Sequence, residues 1–272
     1  MDFTIGLASV IALGVDIALG LALPVGAFLL LHKKYEAHWK PFLVGCIVAL
    51  LGGFMLVQML HTIILSAPGI GMVLQGNPWL YSLCYGLLVT LIEETARLWM
   101  FRTQVRDLRE NDYNAWMFGA GQGGLEALCL LSVGMLGNYL MALAIYQGRL
   151  PMMIENSTPE ELENARATLT ELTQKPVIDI LMLGVKRISF TAVYMAMSVL
   201  VWFAAKDRQI RFPLFLAALG LRFVFQFAVT VMEEIKLPAV AVQGCACVLA
   251  AGCIAVAAAV WKREHVPTPE EV

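Results

Sequence analysis

Seven long apolar runs decide what this chain can fold into. They lie near residues 3–31, 41–66, 79–101, 114–146, 178–204, 212–232 and 238–261, and each is long enough to cross a bilayer as a helix, which takes about 20 residues. Of the 272 residues, 59% are apolar and 15% charged, and the mean hydropathy of +0.73 lies outside the range of an ordinary soluble domain. The expectation is an all-α polytopic membrane protein, a bundle of about seven transmembrane helices forming one domain over 1–272. The first run opens Met1-Asp2-Phe3 without a basic n-region and is too long for a signal-peptide core, so it reads as the first span. The fourth run is overlong and reads as tilted or broken around Gly119–Gly124.

The connections alternate in basic charge. Lys33, Lys34 and Lys40 follow the first span, Arg102, Arg106 and Arg109 the third, Lys206, Arg208 and Arg211 the fifth, and Lys262 and Arg263 the seventh. The intervening connections are uncharged or net acidic. The positive-inside rule then places the N-terminus outside and the C-terminus in the cytoplasm, in a bacterial cytoplasmic membrane. The connection 147–177, expected outside, carries a short helix of its own. Thr158-Pro159-Glu160-Glu161 has the form of a capping box with proline at the first helical position. Leu162, Ala165, Leu169 and Leu172 recur on one face, giving an amphipathic helix on the membrane surface or over the bundle mouth. Asn156-Ser157-Thr158 also fits a glycosylation sequon, a pattern too common to carry weight.

Composition excludes several functions. No basic stripe suggests nucleic acid. The six cysteines are spread through apolar runs, too widely for a zinc knuckle, and Cys245 and Cys247 read as small packing residues. Expected partners are the lipid bilayer and a membrane-anchored peptide or protein; no cofactor is expected.

Eight ionisable residues fall inside the apolar runs: Asp16, Glu93, Glu94, Arg97, Glu126, Lys186, Arg187 and Arg222. A charge at the centre of a spanning helix costs roughly 2.5–3.5 kcal/mol on insertion scales, so such residues face a bundle interior and mark a site. Counting 1.5 Å per residue from the basic connections puts Glu93, Glu94, Gln122, Glu126, Tyr194 and Arg222 in one layer between the cytoplasmic boundary and the midplane. Lys186 and Arg187 fall nearer the outer half. One cavity facing the cytoplasm is the expectation. Arg97 stands one turn from both Glu93 and Glu94 and can neutralise one, leaving the other as a base towards water; the alternative is a structural ion-pair network. Glu126 needs a basic partner, Arg187 or Arg222, and Asp16 could pair with Arg222 or Lys186. The small residues of Gly119–Gly124 suit close helix packing or room for a ligand. His61, near the outer end of the second span, reads as interfacial, Gln226 shares a face with Arg222, and Glu233-Glu234 reads as solvated.

At these residues the chain resembles the YhfC family of intramembrane proteases, within the wider glutamic-type CAAX-processing and bacteriocin-processing superfamily. Glu93-Glu94-Thr95-Ala96-Arg97 fits its EExxR signature, Gly121-Gln122-Gly123-Gly124-Leu125-Glu126-Ala127 a GHGGxEA-like segment, and Lys186-Arg187 with Tyr194 and Ser198 an ERxxAxxxHxxxS-like helix. The resemblance implies Glu93 or Glu94 as general base with Arg97 as electrostatic partner, and a cavity or oxyanion site from Gln122, Glu126, Arg187, Tyr194 and Arg222. The family's histidine positions fall on Gln122 and Tyr194, and Lys186 replaces a glutamate. Gln and Tyr can donate to an oxyanion but neither replaces imidazole as a proton shuttle or metal ligand, so no metal site is expected. The expected function is therefore an intramembrane endopeptidase or a catalytically degenerate relative (a pseudoenzyme). A non-catalytic chaperone, receptor or accessory role is the alternative, and a transporter ranks last.

The charge pattern makes a direct prediction. A reporter fused after Val272 reads out as cytoplasmic and one inserted within 147–177 as external; the reverse outcome would invert the topology.

Overall fold

The computed structural model describes residues 3–150, 159–206 and 209–265. The sequon at Asn156 and the cap at Thr158 lie outside them, as do the side chains of Leu162 and Ala165. The described residues form helices without a strand. In chain order these are α1 (Leu7–Lys34), α2 (Trp39–Ser66), the short α3 (Ile70–Gln75), α4 (Pro78–Arg102), α5 (Tyr113–Tyr146), α6 (Pro159–Gln174), α7 (Val177–Lys206), α8 (Phe212–Glu234) and α9 (Ala239–Glu264).

Six of these are long and apolar enough to cross a membrane: α1, α2, α5, α7, α8 and α9. The remaining long rod, α4, has 25 residues, about 37 Å at 1.5 Å per residue. Its charged triad makes it less apolar than the other six, because Glu93, Glu94 and Arg97 fall within one turn. Its start is written locally: the Asn77 side chain accepts from the backbone N–H of Trp79 and Leu80 at 3.1 and 3.2 Å, and Pro78 occupies the first turn, where no donor is lost.

Helix α7 is the axle. In its apolar stretch 83% of the residues are buried, against 22–44% for the other five apolar helices, and it packs against α1, α4, α5, α8 and α9. The outward faces carry Ile11, Leu51, Met55, Leu91, Val133, Leu216 and Val248, all exposed, as lipid-facing positions should be. At the end bearing the basic connections, buried Asp112 accepts from Trp202 Nε1 at 2.8 Å and Lys206 Nζ at 2.6 Å and lies 3.1 Å from His265 Nδ1. One carboxylate thereby ties the start of α5 to the ends of α7 and α9.

The glycine-rich stretch of α5 is packing surface on three sides. A Cβ on Gly121 would run into the Phe42 carbonyl of α2, and one on Gly45 into the Phe118 carbonyl of α5. Gly123 lies against Thr191 of α7 and Gly124 against Pro24 of α1, each leaving only 2.7 Å for a Cβ. The helix is unbroken here; its irregularity comes later, as a π-helical segment at Leu128–Val133. A second one spans Ala49–Val57 of α2.

Leu169 and Leu172 of α6 are buried at the free ends of α1 and α5, among Phe3, Ile5, Val10, Met141 and Ile145. This amphipathic face thus finds protein.

Adding one methyl at Gly121 forces two backbones apart. Gly121→Ala is expected to lower stability by about 1–3 kcal/mol, the range for overpacking, as a reduced unfolding midpoint in detergent. Gly137→Ala, where nothing lies within 4 Å, leaves it unchanged.

Candidate functional site

Helical spacing alone aligns the polar groups. On α4, Tyr81, Tyr85, Val89, Glu93 and Arg97 follow at intervals of four, and on α8 so do Arg222, Gln226 and Thr230, with Glu233 and Glu234 one turn further on. On α7, Lys186-Arg187, Phe190, Tyr194 and Ser198 repeat likewise. Residues at this spacing share one face, and the three faces meet.

Where they meet, Glu93 is held from two sides. Arg222 Nη2 donates to Glu93 Oε2 at 2.9 Å and the Tyr194 hydroxyl to Glu93 Oε1 at 3.2 Å. Arg222 Nη2 also reaches the Tyr194 oxygen at 3.1 Å, and its guanidinium lies over the Tyr194 ring, 4.8 Å from the centroid. The line continues along α8, where Arg222 Nη1 donates to Gln226 Oε1 at 2.9 Å and Gln226 Nε2 to Thr230 Oγ1 at 3.1 Å. Glu93, Tyr194 and Arg222 are 3%, 4% and 1% exposed.

A separate knot lies behind it. Arg97 pairs with Glu94 on its own helix and donates from Nη2 to Gln122 Oε1 at 2.6 Å. All three are fully buried. Arg97 therefore takes Glu94 and leaves Glu93, as spacing allowed, but Arg222 then takes Glu93. Neither carboxylate is without a guanidinium.

A cavity of about 510 Å³ opens from the first knot. Glu93, Glu126, Arg187, Tyr194 and Arg222 line it, whereas Glu94, Arg97 and Gln122 do not. Further along, its wall is made by Gln58, His61, Tyr81, Tyr85, Lys186 and Glu233. Those residues belong to the closing turns of α2 and α8 and the opening turns of α4 and α7, the bundle end opposite the basic connections. Depth counting expected a cavity on the side of the basic connections; it fixed the layer of Glu93, but the space beside Glu93 extends towards the opposite end of the bundle. On the basic side the layer is stopped by apolar packing, with Phe101 stacked edge-on against Phe118 and Trp202 at 4.6 and 5.2 Å.

Two more interhelical ion pairs ring the cavity. Arg187 Nη1 meets Glu126 Oε1 at 2.6 Å and Lys186 pairs with Glu233. Lys186, Arg187 and Arg222 all stand 5.5–5.8 Å from the centre of the Phe190 ring, a cation–π arrangement that gathers three positive charges around one side chain. Arg187 is thus the partner of Glu126, while Asp16 pairs with neither Arg222 nor Lys186. It packs at Gly184 of α7, where a Cβ would come within 2.6 Å of its Oδ1. Sequence reasoning missed Glu233, Thr230, Tyr81, Tyr85 and Gly53 as wall residues. The four-residue stripes on α4 and α8 were the available signal.

Fold and site together define an integral membrane protein of helical-bundle type with an ion-paired polar cavity between its helices. Residues 19–245 match the model of a family described as YhfC intramembrane metalloprotease. The chain belongs to the YhfC family. It is 27% identical over 213 residues to a Bacillus subtilis (strain 168) protein described as uncharacterized membrane protein YhfC, covering 76% of this chain and 78% of that one. No solved structure matches.

The family description names a metal, and the described residues do not fit one. They contain no group of three His, Cys, Asp or Glu side chains placed to hold an ion. The two carboxylates at the centre are already bound by Arg97 and Arg222, and a guanidinium beside each repels a second cation. Gln122 and Tyr194 add no imidazole or thiolate to the donor set.

Removing one member of the Glu93–Arg222 pair strands a buried charge, which costs about 3–5 kcal/mol. Arg222→Gln should therefore be strongly destabilised, and Glu93→Gln combined with Arg222→Gln should recover much of the loss. Additive losses in that double-mutant cycle, read from unfolding in detergent, would deny the pair its structural role.

Proposed function

We propose that this chain is a binding member of its family, one that holds a membrane-associated peptide in the ion-paired cavity without hydrolysing it. One observation carries the reading: each carboxylate of the Glu93-Glu94 pair is engaged by its own arginine. A general base needs an oxygen free to take a proton from water at the reacting bond. Here Glu94 is sealed away from the cavity, and both oxygens of Glu93 already accept hydrogen bonds. The positions matched to the family's histidines hold an amide and a phenol, which orient and donate but do not relay protons near neutral pH.

The cavity suits a peptide backbone. An unpaired backbone group in hydrocarbon costs several kcal/mol, and the wall offers donors on Lys186, Arg187 and Arg222 beside acceptors on Glu93, Glu126 and Glu233. The aromatic packing of Phe101, Phe118 and Trp202 on the basic side supports a one-sided receptor over a transporter. With the orientation expected from the loop charges, the mouth faces the outside of a bacterial cytoplasmic membrane.

Hydrolysis is the second reading, favoured by the placement of Glu93. It faces the cavity with the Tyr194 hydroxyl and Arg222 beside it, donors able to stabilise an oxyanion. Reconstitution of the native protein, Glu93→Gln and Glu94→Gln with membrane-anchored peptides separates the two. Retention of peptide without new termini is the expected result. Cleavage by the native protein that disappears in Glu93→Gln would establish hydrolysis in its place.

A further inference from the structure

We infer that the cavity is loaded sideways from the bilayer, between the second halves of α2 and α5, so that its occupant is a peptide still anchored in the leaflet at the mouth end. This rests on the peptide-binding reading and adds the route and the kind of peptide.

Helices α2 and α5 begin in backbone contact, with Gly45 against Phe118 and Gly121 against Phe42, and the Cys46 thiol donates to the Gly121 carbonyl at 3.3 Å. Each then passes through a π-helical segment, Ala49–Val57 in one and Leu128–Val133 in the other. A π turn carries an extra residue and redirects the rest of its helix, and such turns recur at functional sites. Beyond the two segments the helices part. Gln58–Ser66 packs on its own π segment and α3, and no residue of it is buried. Gly134–Tyr146 packs on α1 and α6. Among the described residues the two share at most a marginal contact, which leaves room for a gap between them.

The cavity reaches both posts. Gly53, Phe54, Val57 and Gln58 line it from α2, and Glu126 and Leu130 from α5. Gly53 keeps the sill low: a Cβ there would stand 3.2 Å from Glu93 Oε1. The opposite seam of α2 is closed, because His61 packs on the rings of Tyr81 and Tyr85 at 5.5 and 4.9 Å. Around the gap the outward side chains are apolar, with Met55, Met59, Val133, Leu136 and Leu140 exposed to lipid. A polar chamber with apolar jambs suits a ligand whose anchor stays in hydrocarbon while its polar end enters.

The test uses the full chain, with the six native cysteines replaced, reconstituted in liposomes. One probe is a single-span leucine–alanine peptide bearing a benzophenone side chain in a polar flank at the mouth end; the other is that flank alone, without the span. The expected result is photocapture of the anchored peptide on α2 and α5, little capture of the soluble flank, and loss of capture when Phe54→Cys and Leu130→Cys are joined by a bridging thiol reagent. Equal capture of both probes, or capture unchanged by the bridge, overturns the lateral route and leaves peptide binding standing. Capture of neither probe overturns the binding reading itself. A nitroxide on Leu130→Cys reads the gap independently of any peptide. Strong relaxation by bilayer-dissolved oxygen supports it, and relaxation no greater than at a buried control on Phe118→Cys removes it.

Discussion

Four charges buried at the junction of α4, α7 and α8 can stay there only as two closed pairs, and that requirement organises much of the bundle. Glu93 binds Arg222 across a helix interface, while Glu94 binds Arg97 within its own helix. The first bond holds α4 against α8, and Tyr194 brings α7 into the same knot. Taking these groups out of water costs several kcal/mol per ion, offset only where geometry is good and remaining hydrogen bonds are made. The pairing therefore fixes the relative rotation of the three helices, because turning any one by a residue would leave a charge in an apolar wall.

The same pairing shapes the chemistry. Around the cavity Glu93, Glu126 and Glu233 each pair with a basic side chain, Arg222, Arg187 and Lys186, and Glu234 adds a fourth carboxylate to the lining. Gln122 and Tyr194 tie into the two closed pairs: Gln122 accepts from Arg97 and Tyr194 donates to Glu93.

Shape comes from smaller residues. Glycines on α5 bring α1, α2 and α7 into close contact, and α2 and α5 each pass through a π-helical segment further on. Tight packing on the basic side leaves a chamber that extends towards the other end. The fully buried Phe101, Phe118 and Trp202 make its floor.

Much of this was legible in the residues alone. Seven apolar runs dictated seven long helices, since length and hydropathy are local properties; the marginal apolarity of α4 came from its own Glu93, Glu94 and Arg97. The ion partner of Glu126 was among the two candidates, because depth along a helix narrows the choice. Depth could not say which carboxylate Arg222 would meet, or that Lys186 would reach Glu233 rather than Asp16, since these depend on helix rotation and on which neighbours adjoin. Nor could it say which way the cavity opens. A sequence specifies the level of each group along its helix, whereas the empty space above or below that level is set by where the helices touch and where they part. Apolar length and charge spacing determined the bundle and its polar layer; only the tertiary packing decided that the layer would be closed towards the basic end and hollow towards the other.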